Sequence, residues 1–76
     1  MERYYMELAQ LLPDNDRLEI DYDRDIEMIS IWANDVIIHG DTAAWIYAYC
    51  AKNALRCYIS LSCVTYRIRL GILKDI

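Results

Sequence analysis

Phenylalanine is absent, glycine occurs twice, and proline and histidine once each in 76 residues. Two glycines, Gly40 and Gly71, cannot build a glycine-rich phosphate loop. So little glycine and proline, beside an apolar content of 57%, excludes a disordered or low-complexity chain. Long hydrophobic runs are missing too. The longest, Ala43 to Ala51, is about half of the ~18 residues a membrane span needs. The start, Met1-Glu2-Arg3-Tyr4, has no apolar h-region of the kind a secretory signal carries. Cys50, Cys57 and Cys63 are an odd set, unlike a disulfide framework. The expected setting is a reducing cytoplasm with free thiols.

Motifs for chemistry are equally scarce. His39 stands alone at the end of an apolar run, with no nucleophile motif elsewhere to join it. His39 with the three cysteines lacks the short ligand pair that zinc sites use. Asp21-Tyr22-Asp23-Arg24-Asp25 begins like a calcium loop. The glycine and glutamate such a loop requires next are replaced by Ile26 and Trp32. Exposed carboxylates keep ordinary pKa values and make poor general acids or bases. Neither an enzyme nor a cofactor or metal site is expected.

What the chain does have is charge of one sign in one half. Residues 1–41 hold eleven carboxylates against three arginines, a net −8. Residues 42–76 hold five basic side chains against Asp75, a net +4. Charge so distributed speaks to association and partners rather than to chemistry. Its densest stretch is Asp14, Asp16, Glu19, Asp21, Asp23, Asp25 and Glu27, interrupted by Arg17 and Arg24. From Glu19 to Glu27 the acids share one parity, so an extended chain turns them the same way. Such a face discourages edge pairing. It also suits a protein partner with a basic surface, and it repels nucleic acid. Arg67 and Arg69 share a parity and are expected to pair with the acidic strands, within one molecule or between subunits.

Periodicity supplies the elements. Met1, Tyr4, Tyr5, Leu8, Leu11 and Leu12 recur at helical spacing up to Pro13. Leu18, Ile20 and Tyr22 alternate with acids and predict a half-buried strand. Asp23-Arg24-Asp25 predicts a turn, residues 26–33 a second strand, and Val36-Ile37-Ile38 a short third. Asp41 is a good N-cap for a helix from Thr42 to about Leu55. Residues 57–70 read as strand, but one straight strand would span about 45 Å. A chain of this length is only roughly 30 Å across. A bulge or tight turn near Ser62–Thr65 reconciles the two. The expected fold is one α+β domain over residues 1–76. A small antiparallel sheet, a β-meander plus a C-terminal strand or hairpin, packs on two helices in the order α-β-β-β-α-β(-β).

The second helix has almost no polar face, and a helix apolar all round is buried on more than one side. Trp45, Ile46, Tyr47 and Tyr49 cover more than half its circumference. They are therefore expected to form a hydrophobic or self-association interface as well as core. A compact acidic chain of this size resembles, in general terms, the small inhibitors that phages and mobile elements make against host nucleases, anti-CRISPR proteins among them. That resemblance implies a non-enzymatic module that blocks a basic surface of a nucleic-acid-handling enzyme. The alternatives are an assembly subunit acting as a homodimer and a small-molecule sensor with Tyr and Trp in a dimer cleft.

Overall fold

The computed structural model describes residues 1–13, 17–33, 38–61 and 68–74. Its elements are α1 (Glu2–Leu11), β1 (Leu18–Asp23), β2 (Met28–Ala33), α2 (Gly40–Lys52), β3 (Leu55–Leu61) and β4 (Ile68–Lys74). The strands form one antiparallel sheet in the order β1-β2-β4-β3. The fold is α+β, and the C-terminal region is a hairpin rather than one bent strand. The expected third strand at Val36–Ile38 falls largely outside the described residues; Ile38 itself lies in no strand. The turn expected near Ser62–Thr65 also lies outside them.

Both helices cover the same side of the sheet. The core joins Leu8 and Leu12 of the first helical segment to Ile46, Tyr49 and Cys50 of α2. Beneath them lie Ile29, Ile31, Leu55, Leu70 and Ile72. Along β1, Leu18, Ile20 and Tyr22 turn inward and pair with Ala33, Ile31 and Ile29. The overall dimensions, 29 × 25 × 17 Å, fit two layers. Among the described residues no helix lies on the other side of the sheet.

The element ends follow local chemistry. Leu12, extended at φ −57°, ψ 127°, precedes Pro13, which disfavours helical geometry in the residue before it. Leu11, expected on the buried stripe, is 55% exposed; Leu12 takes the inward place instead. In the β1–β2 turn the Asp25 amide donates to Asp23 Oδ1 at 2.9 Å, and Glu27 is left-handed at φ 51°. That turn keeps Ile26 out of β2, exposed, and moves the strand start from residue 26 to Met28.

Helix α2 starts two residues earlier than the sequence suggests. His39 holds the N-cap position, and Asp41 lies in the first turn, where a carboxylate favours the helix dipole. The helix stops at Lys52, because Asn53 closes it. Its amide donates to the Tyr49 and Cys50 carbonyls, both at 3.2 Å, and its Nδ2 to the Tyr49 carbonyl at 2.9 Å. Ala54 at φ 54° then reverses the chain, so Leu55 opens β3 instead of ending the helix. No helix of the described residues is long and apolar enough to cross a membrane.

Candidate functional site: the open face of the sheet

Strand register fixes what the uncovered side presents. One row across the sheet runs Glu19, Trp32, Arg69, Ser60. The next runs Asp21, Ser30, Gly71, Tyr58. At the far end Asp23 pairs with Met28, and Leu73 pairs with Arg56. Charge is therefore graded across one face. Carboxylates line edge strand β1, apolar and aromatic groups fill the centre, and arginines stand on β4 and β3.

The centre of this face is built by side chains lying across the backbone. The Tyr58 ring lies over Gly71, and its hydroxyl donates to Met28 Sδ at 2.9 Å. This contact spans β3, β4 and β2. The Arg69 guanidinium lies over the Trp32 ring, 5.4 Å from its centroid. Ser30 is buried beneath its neighbours.

Of the acids singled out in the sequence, Glu19, Asp21 and Asp23 stand together on this face, all exposed. Asp25 and Glu27 extend the exposed acidic array around the turn. Asp14 and Asp16 lie outside the described residues, as does Arg67. Arg24 does not offset the strip: its guanidinium reaches back to Glu2 of α1, at 2.9 Å. That pair is well exposed and contributes little to stability. The expected pairing of Arg69 with acidic strands is not adjacent pairing, because β2 separates β4 from β1.

Helix α2 places its four aromatic and apolar residues differently from one another. Ile46 and Tyr49 are buried in the chain's own core. Trp45 is half-buried and stacks on Tyr49, with centroids 5.6 Å apart. Tyr47 is 39% exposed. The outer side of the helix carries Ala44, Ala48 and Ala51, exposed but small side chains.

Between the helices lies a groove of about 320 Å³, lined by Glu7, Leu11, Trp45, Ala48, Tyr49, Lys52 and Asn53. Its wall is tied by the Tyr49 hydroxyl, which donates to Glu7 Oε1 at 3.1 Å. Burial, and then that hydrogen bond, push the Tyr49 phenol up to about 12 from an ordinary 10. Above pH 10 the unfolded chain loses this proton and the folded one keeps it. Stability from this group is therefore intact below pH 10 and declines as pH rises towards 12. Tyr49→Phe is expected to cost about 1 kcal/mol at neutral pH. It should also flatten part of the alkaline decline, as measured by denaturant titration from pH 9 to about 12. An unchanged decline would remove Tyr49 from that account.

Cys50 donates to Cys57; that hydrogen bond and burial push the Cys50 thiol up, so it stays protonated. Among the described residues no three His, Cys, Asp or Glu side chains stand close enough to hold a metal ion. No family model matches the chain, and neither a curated protein nor a solved structure matches it.

Sequence reasoning missed Met28, Trp32, Tyr58 and Arg56 as members of one surface. The parity of Met28, Ser30 and Trp32 was the available signal. It was masked because the opposite parity, Ile29, Ile31 and Ala33, is apolar as well.

Proposed function

We propose that the protein is a non-catalytic protein-binding module that engages a basic surface of its partner through the acidic rim of the open sheet face. The observation that supports this reading is the in-line array Glu19, Asp21 and Asp23. It is exposed on an edge strand and continued by Asp25 and Glu27. Alternate residues of a strand stand ~6.6 Å apart, so the strand presents a linear run of anions. A cationic groove shaped for a phosphate backbone accepts such a run, and the neighbouring Trp32 and Met28 add apolar contact. The partner class is thus a nucleic-acid-handling enzyme, and occupying its groove inhibits it.

The test is comparative capture from the native host with wild-type protein and Glu19→Lys/Asp21→Lys. Asp23 is left in place because it holds the turn. The wild type should retain a partner at about 0.1 M salt and release it near 1 M, where the screening length falls to ~3 Å. The double variant should keep its circular dichroism spectrum and bind at least ~100-fold more weakly, from two lost charge contacts. A partner held equally by both proteins, or held through 1 M salt, would rule out the acidic rim.

A further inference from the structure

We infer that the open sheet face is self-complementary and that two copies of the chain associate through it. The inference stands apart from the proposal above, although it concerns the same face. The order β1-β2-β4-β3 puts Glu19, Asp21 and Asp23 at one edge and Arg56 at the other. Consider a second copy turned over about a two-fold axis parallel to the strands. Its β3 then faces β1 of the first copy, and its β4 faces β2. Levels along the strands are preserved by this axis. Asp23 meets Arg56 of the second copy, and Met28 meets its Leu73. Trp32 lies level with Arg69 of the second copy, a pairing of cation and aromatic face. Each contact occurs twice, as an isologous interface requires.

A two-fold axis across the strands would instead set β1 against β1, carboxylates against carboxylates. Charge therefore selects one of the two face-to-face arrangements. Within one molecule the acids of β1 and Arg56 stand three strand spacings apart, about 14 Å, at opposite edges of the face. The face is large enough. Four strands of six or seven residues present roughly 20 × 20 Å before side-chain relief. With that relief it approaches the ~600 Å² per partner at the low end of specific interfaces. Two antiparallel sheets stacked in this way pack about 10 Å apart with strands near-aligned.

The experiment is sedimentation equilibrium on the wild type, Asp23→Lys, Arg56→Glu, and an equal mixture of the two variants. Both substituted positions are exposed and Asp23→Lys gives up one exposed turn hydrogen bond, so the fold of each variant is checked by circular dichroism. The wild type should sediment at twice 9.0 kDa in the tens of micromolar. Each variant alone should raise the dimer dissociation constant at least ~10-fold, because each creates two like-charge contacts. The mixture should regain dimer, because every reversed charge then faces its opposite. Ala44→Lys, on the exposed side of α2, should leave the dimer unchanged. A 9.0 kDa wild type at these concentrations would overturn the inference. So would variants that dimerise as tightly as the wild type, or a mixture that stays monomeric. Dimer lost with Ala44→Lys and kept with Asp23→Lys would move the interface to α2 and overturn it equally. A second copy and a basic partner would occupy the same face in turn, so the dimer is read here on the isolated protein and the partner in the capture experiment.

Discussion

Ile46→Ala should lower the unfolding free energy by about 3 kcal/mol, within the 2–5 kcal/mol range for truncating a buried isoleucine. Ile46 is fully buried, and it is the α2 residue aimed most directly into the layer shared with Leu8, Ile29, Ile31 and Ile72. A domain of this length is expected to hold only about 4–11 kcal/mol in total. The substitution therefore removes between a quarter and most of the margin. With an m value near 1 kcal/mol per molar urea, the midpoint should fall by about 3 M. Tyr47→Ala is the matched control. It neighbours Ile46 in sequence but lies a third of a turn away, 39% exposed. Its hydroxyl reaches Cys57 of β3, and its expected cost is about 1–2 kcal/mol, below that of Ile46. Equal losses at the two positions would contradict the assigned faces of α2.

That contrast shows where the sequence was informative and where it was not. The period of two in Leu18–Asp23 was unbroken, and β1 formed there with the acids on one side. Pro13 ended the helical spacing, and Leu12 is the extended residue before it. For α2, apolar composition alone suggested burial on several sides. In this chain one side enters the core, and the exposed side carries alanines, which are apolar yet leave little surface to cover. Tyrosine had a similar double meaning. Tyr4, Tyr5, Tyr22 and Tyr49 serve the rim of the core, where rings stack and hydroxyls reach water or a carboxylate.

The candidate surface was half legible. Parity located the acids, because local periodicity decides which way a strand residue points. Their neighbours depended on strand order, which is a non-local property. Chain β4 is inserted between β2 and β3, and this insertion brings Arg69 to Trp32 and Gly71 to Ser30. No spacing within the sequence encodes that meeting. The same insertion separates the acidic edge from Arg56, and so turns a charge split along the chain into a charge gradient across one face.

Gly71→Ala is expected to destabilise the protein by about 1–3 kcal/mol through overpacking. Gly71 has no positive φ, so the backbone needs no glycine there. The constraint is the Tyr58 ring. A Cβ at position 71 would lie 2.6 Å from Tyr58 Cζ, 2.9 Å from its hydroxyl oxygen and 3.0 Å from Cε1. Such distances force the ring off the sheet. The 2.9 Å hydrogen bond to Met28 Sδ goes with it. Tyr58→Ala alone should also destabilise, since it removes the same hydrogen bond without adding a clash. In the double variant the added methyl meets no ring, and alanine suits a strand better than glycine. Gly71→Ala should then be close to neutral, a coupling of at least ~1 kcal/mol between the two positions. Strictly additive effects, measured by urea denaturation of the four proteins, would mean that the ring does not lie across the glycine. The open face would then lack the flat centre on which both the docking surface and its self-complementary pairing depend.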